Sequence, residues 1–345
     1  MTERVLVVHV AGIGDAAVAS TVVERFRAER PAAELTWVCG AAAEPLVRLF
    51  PGIWRTIGVN QERLFHGNAF VRAGEILRLW RRLVGRGFDS VIVLHPDPRY
   101  RALVLPLVGV PKAFLSRARG DGVNPIPGRF LGDEYARLAG VAGHTGPIER
   151  RYEMADLRPG FPLDQPTHWP DARRKRVVLV PGGARNPLRE DPLRRWPLEH
   201  YAAVARALID AGHEVVVIGA AHDAWVRPVF AGIDVVDRVG GLTLSDTLGL
   251  LRGSALVISH DTGPMHLARL VRTPLIALFG PTIPAQVLSL DQTVTVLWGG
   301  AHLACRPCFD GRHFARCAAN ICLASVLPEQ VTDAARRILA GHEAR

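Results

Sequence analysis

At the end of the apolar run Ala255–Ser259 the chain reads ISHDTGPMHLA, which packs an acid, a hydroxyl, a glycine, a proline and a histidine into one short stretch. Asp261 or Thr262 can cap a helix, and Pro264 suits a first helical turn, where its missing N–H costs nothing. Capping does not account for Gly263 beside free backbone N–H groups, or for His266 returning one turn later to the same mouth. Together the Thr262 and Gly263 N–H groups and the His266 side chain form a candidate cradle for a phosphate.

Three other loops carry candidate chemistry. In PGGARNPLREDPLRRWPLEHY, Gly182 and Gly183 allow close backbone approach to a ligand, and Arg185, Arg189, Arg194 and Arg195 crowd the path to the next helix, which would suit an anion such as a pyrophosphate; an ordinary exposed loop is the alternative. In GAAHDAW, Asp223 follows a strand, where a carboxylate can accept hydrogen bonds from a ribose or a base. In HVAGIGDAAVAS, Gly12, Gly14 and Ala17 fit the G-x-G-x-x-A dinucleotide fingerprint. That fingerprint needs an acid at the end of the second strand, and Cys39 and Gly40 stand there, so a nicotinamide-dependent oxidoreductase is the lesser alternative. Asp15 in the same loop reads either as a first-turn acid stabilised by the helix dipole or as a general base for a substrate hydroxyl.

Cys305, Cys308, Cys317 and Cys322 form a C-x2-C-x8-C-x4-C array that can close a tetrahedral structural site for zinc or iron. The alternatives are reduced thiols or a redox-labile loop. His302 and His313 are reserve ligands, and Cys39 reads as a small core residue.

These loops must be held by strands and helices. Residues 4–10, 34–39, 89–95 and 109–115 read as buried strands, with AAVASTVVERFRAER and AFVRAGEILRLWRRLVGRG as amphipathic helices between them. After the Pro-rich, charged segment 140–176 the pattern restarts, with strands at 177–182, 214–219, 233–237, 255–259 and 274–280 and helices near 197–211, 243–252 and 263–271. This predicts an N-terminal Rossmann-like domain over 1–165, a second over 175–327, and a last helix, 328–345, reaching back across the boundary. Ligands of such sheets bind at the carboxyl ends of the strands, so a cleft between the two is the expected site.

The chain of 345 residues is 48% hydrophobic and carries a formal charge of +9. Its basic residues are almost all arginine, the lysines being Lys112 and Lys175. No basic run is interleaved with aromatics, so nucleic acid is not an expected partner. Neither a membrane-spanning run nor a signal peptide is present, which predicts a cytoplasmic protein.

GIGDAAVAS, PGGARNPLREDPLRRWPLEHYAAVARAL, EVVVIGAAHD, LTLSDTLGLLRGSALVISHDTGPMHLA and TPLIALFGPTIP resemble, in order and spacing, glycosyltransferase family 9, the ADP-heptose heptosyltransferases. The resemblance covers most of the chain and is strongest over 240–284. It implies a GT-B fold, two Rossmann-like parallel-sheet domains facing across a cleft, with acceptor on the first and nucleotide sugar on the second.

By that resemblance Asp15 is the general base, Asp261, Thr262, Gly263 and His266 are the donor motif, and Arg194 takes the place of a family lysine at the donor phosphate. Asp223 stands near a family glutamate at the donor ribose, and Gly14, Gly182, Gly183 and Arg185 are further phosphate or backbone contacts. The implied reaction inverts the sugar, moving a heptose from ADP-heptose to a glycan hydroxyl, such as that of the lipopolysaccharide inner core, with no metal or cofactor required for catalysis. Cysteine clusters occur at this end of other members, and some autotransporter heptosyltransferases carry iron on four cysteines with wider spacing. Arg117, Arg119 and Arg129 are candidate contacts to an anionic glycolipid, which implies at most peripheral contact with the inner face of the cytoplasmic membrane. Within the same fold, a transferase or an epimerase for another nucleotide sugar is the alternative.

Overall fold

The computed structural model describes residues 2–115, 128–140, 154–155, 157, 175–186, 189–309, 314–317 and 319–341. Most of the 140–176 linker, Arg117, Arg119 and His313 lie outside the described residues. The chain divides into two compact units, one formed chiefly by residues up to 157 and the other chiefly by residues from 175 to 341.

In the first unit, β1 (Arg4–His9), β2 (Glu34–Gly40), β3 (Ile53–Val59), β4 (Ser90–Val93) and β5 (Lys112–Phe114) form an all-parallel sheet in the order β3-β2-β1-β4-β5. Val8 lies opposite Val38 on one side and Val93 on the other. Val5 to Val8 are buried, which is why their run is continuously apolar rather than alternating. The strand β3 escapes prediction because it is an edge strand. Arg55 and Thr56 interrupt its apolar run, and only Ile57 and Val59 of it are buried.

The helical stretch after β1 is split into α1 (Ile13–Ala19) and α2 (Thr21–Glu29) at Ser20. The Ser20 hydroxyl donates to the Ala17 carbonyl at 2.6 Å and accepts the Ala155 N–H at 2.8 Å, a local competition that fits a serine at a helix break. The long helix α3 (Ala69–Leu83) starts at Asn68, whose side chain accepts the Val71 N–H at 3.0 Å. Leu79 and Leu83 face the core of this unit, and α4 (Leu131–Gly140) packs against α2.

In the second unit, β6 (Arg176–Val180), β7 (Glu214–Gly219), β8 (Val236–Val239), β9 (Leu256–His260), β10 (Leu275–Phe279) and β11 (Val294–Trp298) form a second parallel sheet, ordered β8-β7-β6-β9-β10-β11. Its crossovers include α5 (Leu198–Asp210), α6 (Leu244–Arg252) and α7 (Gly263–Leu270). The edge strand β11, half-buried along its length, also escapes the sequence pattern. The last helix, α8 (Pro328–Gly341), finds its partners within this unit. It buries Val331, Ala334, Ala335 and Leu339 in the core formed with Val204, Leu208 and Ile276, and Lys175 Nζ donates to the Leu339 carbonyl at 2.6 Å near its C-terminus. Each fully buried aliphatic side chain of this kind contributes about 1.5–3 kcal/mol.

Candidate functional site

The first unit offers one cluster at the carboxyl edge of its sheet. Asp15 is at the third position of α1, exposed, with Oδ2 accepting the Gly12 N–H at 3.3 Å. Gly14 lies in the same helical turn. A carboxylate held this way is both a cap and an exposed base, so the two readings of Asp15 describe one arrangement.

Around it lie groups that the sequence reading passed over. His95, just after β4, stacks on Tyr100 with ring centroids 4.2 Å apart, and its Nδ1 accepts the Asp97 N–H at 3.1 Å. The Tyr100 hydroxyl donates to the Val10 carbonyl, and its pKa is driven up by burial and then by the charge of Asp15. His9, at the end of β1, lies 3.5 Å from the Tyr135 hydroxyl and is pushed down to about 3 by burial and then by His95. The rule that functional residues follow strands points to His95 in LHPDP as readily as it points to Asp15.

In the second unit the donor-motif candidates meet. Thr262 occupies the cap position of α7, yet its hydroxyl makes no cap bond and instead accepts the Ala184 N–H at 2.9 Å. The hydroxyl thus ties the helix start to the glycine loop rather than closing the helix end. Asp261, 4% exposed, accepts from the Thr282 hydroxyl at 3.0 Å and lies 3.5 Å from Arg194 Nη1, while Arg194 Nη2 lies 3.0 Å from Asp191. Asp191 and Thr282 therefore belong to the site without having been singled out. Gly263 opens α7.

His266 is buried, with Nδ1 lacking a hydrogen-bond partner, and is pushed down to about 4 by burial, which outweighs nearby Asp261. It is therefore a neutral imidazole near pH 7. Behind it, Tyr201 Oη accepts the His260 N–H at 3.1 Å and is 3.0 Å from His260 Nδ1. This buried pair anchors the end of β9, and His260 is pushed down to about 3 by burial and then by Arg194.

Neighbouring side chains pack against the glycine loop at Gly182 and Gly183. A Cβ at Gly182 would come 2.6 Å from the Asp223 carboxyl carbon, and one at Gly183, where φ is +81°, would come 2.3 Å from the Thr262 hydroxyl. Asp223, expected at a ribose, is 3% exposed and accepts the Gly183 N–H at 2.9 Å and the Ala220 N–H at 2.8 Å. Both carboxylate oxygens already hold backbone, so Asp223 staples two loops together.

Arg195 secures the same loop, donating to the Gly183 carbonyl at 2.8 and 3.0 Å and lying 4.8 Å over the Trp225 ring. Arg185 is exposed at its rim. Arg129 lies 3.4 Å from Glu134, an ion pair within the first unit.

The four clustered cysteines are free thiols, Cys305 and Cys317 exposed and Cys322 buried. Cys317 and Cys322 meet at Asn320, whose N–H donates to Cys317 Sγ at 3.3 Å and whose Oδ1 lies 3.7 Å from Cys322 Sγ, and the Cys322 thiol is pushed up first by burial. Among the described residues no group of three or more metal-ligating side chains is gathered as a metal site. Cys39 is fully buried at the end of β2, which thus offers no carboxylate to a nicotinamide cofactor's ribose.

The comparisons with known proteins agree with this arrangement. The family described as Glycosyltransferase family 9 (heptosyltransferase) matches residues 149–318. The lipopolysaccharide heptosyltransferase 2 of Escherichia coli K12 is 24% identical over 325 residues, covering 85% of this chain and 87% of the relative. A glycosyl transferase family 9 structure from Veillonella parvula superposes with a TM-score of 0.78 at 20% identity, covering 99% of this chain and 98% of that one. The E. coli ADP-heptose lps heptosyltransferase II superposes with a TM-score of 0.71 at 20% identity, over 99% of each chain. With two parallel-sheet α/β units of the GT-B kind, the chain belongs to glycosyltransferase family 9, the heptosyltransferases.

Proposed function

We propose that the protein transfers a heptosyl group, with inversion, from ADP-heptose to a hydroxyl of a lipopolysaccharide inner-core acceptor. The observation that carries this reading is the tied helix start of the second unit. There Thr262 holds the glycine loop, Arg194 lies between Asp191 and Asp261, and a neutral His266 stands one turn in. The names of the relatives supply the sugar and the acceptor.

Each unit supplies half of the chemistry. On the first, the exposed Asp15 carboxylate takes the proton of the acceptor hydroxyl as its oxygen bonds to the anomeric carbon. On the second, the bond from that carbon to the β-phosphate oxygen breaks, and ADP leaves with the electron pair. The charge that develops on the diphosphate is met by the Arg194 guanidinium and the N-terminal end of α7, fixed dipoles that need no reorganisation. His266, neutral, donates a hydrogen bond without adding charge. The division into an acceptor domain and a nucleotide-sugar domain follows from these roles.

An assay of nucleoside diphosphate release tests the reading, with ADP-heptose compared against UDP- and GDP-sugars and lipopolysaccharide core as acceptor. Release with ADP-heptose alone is expected. Release only with another nucleotide would assign the fold to a different sugar, and none with any donor would sink the transferase reading.

For the four-cysteine loop we infer a structural zinc or iron site, supported by the C-x2-C-x8-C-x4-C spacing and by the meeting of Cys317 and Cys322 at Asn320. Metal content of the purified chain checks it. A metal-free protein whose melting temperature is unmoved by Cys305→Ser with Cys317→Ser would leave simple reduced thiols.

A further inference from the structure

The outer face of α3 is apolar where a soluble helix is normally charged. Phe70 is 90% exposed, Leu77 45% and Val84, the residue that ends the helix, 58%. They recur every seventh residue and so lie along one line of the helix surface, opposite Leu79 and Leu83, which face the core. The 15-residue helix is about 22 Å long, so this line runs along its whole length.

The stripe is flanked by one sign of charge. Arg78, Arg81 and Arg82 lie on the helix and Arg86 just beyond it, whereas the helix's one acid, Glu75, is buried and paired with Arg78 at 2.7 Å. Past Val84 the apolar line meets a surface cleft of about 280 Å³ walled by Trp54, Val84 and Phe88 together with Arg86 and with Arg4, which is paired with Glu34 at 3.4 Å. Trp54 is itself 55% exposed. At the other side of α3, Trp80 donates to the Ala102 carbonyl at 3.0 Å, and the segment it holds exposes Leu105 and Val108.

We propose that this face of the first unit docks on a bilayer containing anionic phospholipid, with α3 lying flat in the headgroup region. An apolar line bordered by arginines, with a tryptophan at one end, has the chemistry of an interfacial helix: the apolar residues enter the acyl boundary and the guanidiniums meet phosphates. The arginines select the occupant, since a neutral apolar partner would leave them without counter-charge. Topology gives the docking a purpose. The chain leaves the carboxyl end of β3 to begin α3, so Phe70 is at the sheet edge that carries Asp15 and the far end of the helix is at the opposite edge. The inference rests on the reading that the acceptor is lipid-anchored, because docking there holds the acceptor half of the enzyme where such a glycan emerges.

The test is sedimentation of the full chain with vesicles of phosphatidylcholine, with and without phosphatidylglycerol. Binding that requires phosphatidylglycerol and weakens with salt is expected. Phe70→Ser with Leu77→Ser should lower it roughly tenfold or more, and Arg81→Glu alone by at least about fivefold. In both variants turnover of a soluble, delipidated core oligosaccharide should be unchanged. If the double variant loses its fold, the exposed Arg81→Glu change keeps the test decisive.

Vesicle binding equal for both lipids, or variants that bind like the parent, would overturn the proposal. So would a patch variant that turns a dimer into a monomer without affecting vesicles, since a second copy would then be the occupant. Loss of ADP release with vesicle binding intact would count against the heptosyl reading and leave the docking face standing.

Discussion

The carboxyl edges of the two sheets are built differently. In the second unit the loops are tied to one another by buried side chains, with Thr262 on Ala184, Asp223 on Gly183 and Ala220, Thr282 on Asp261, and Arg195 on the Gly183 carbonyl. In the first, Asp15 is exposed and its bond to Gly12 stays within its own turn. A diphosphate is the same in every nucleotide sugar of a class and rewards a rigid cradle, whereas an acceptor hydroxyl needs one well-placed base with open surroundings. The first edge thus concentrates its chemistry in single residues, and the second distributes it over a framework.

The largest effect should come from the sparse edge. Asp15→Ala is expected to lower kcat by roughly 10²–10⁴-fold with donor affinity and melting temperature unchanged, since in the proposed reaction one group carries the proton transfer. A parallel loss of donor binding in titration calorimetry would erase the contrast.

On the framework side, Gly183→Ala combines a positive φ with a Cβ 2.3 Å from the Thr262 hydroxyl, so it should cost about 2 kcal/mol or more and weaken donor binding together with stability. Urea midpoints measured beside donor affinity check whether the two move together. Asp261→Asn keeps the shape and an acceptor for Thr282 but removes the charge beside Arg194, and roughly tenfold weaker donor binding is expected.

Acid sharpens the contrast further. His260 and His266 stay neutral in the fold down to about 3 and about 4, whereas the unfolded chain protonates them near 6.5. Their contribution is fully present above pH 6.5 and is lost as pH falls toward those lower values. Thermal unfolding followed from pH 7 to pH 4 should show this loss, and His260→Gln should flatten it; an unchanged slope would place the acid sensitivity elsewhere. The smallest effect belongs to Arg129→Ala, whose pair with Glu134 should be worth about 1 kcal/mol or less in the melting transition.

Much of this was legible in the sequence, for definite reasons. The central strands read clearly because a parallel sheet buried on both faces demands unbroken apolar runs such as Val5 to Val8. The edge strands β3 and β11 did not, because one side of each lacks a neighbour and tolerates Arg55, Thr56 or Thr295. DTGPMH announced itself because a cap residue, a glycine and a histidine at helical spacing share one short stretch.

What the motif could not reveal was the destination of each side chain. That the Thr262 hydroxyl turns to Ala184, or that Asp223 fills the space beside Gly182, depends on residues about 80 and about 40 positions away. Asp191 and Thr282 were hidden for the same reason, since ordinary polar residues gain meaning only through the buried partners that the fold brings to them.

The placement of α8 bears on how the protein is made. The core of the second unit is completed by Val331, Ala335 and Leu339, so that unit cannot close until α8 has been synthesised, whereas the sheet of the first unit is complete by Phe114. During translation the sheet of the first unit can form early. The strands of the second unit must wait, with their apolar faces uncovered, for α8 to arrive. A truncation of even a dozen C-terminal residues should therefore be felt as an aggregating nascent chain before it is felt as a weaker enzyme.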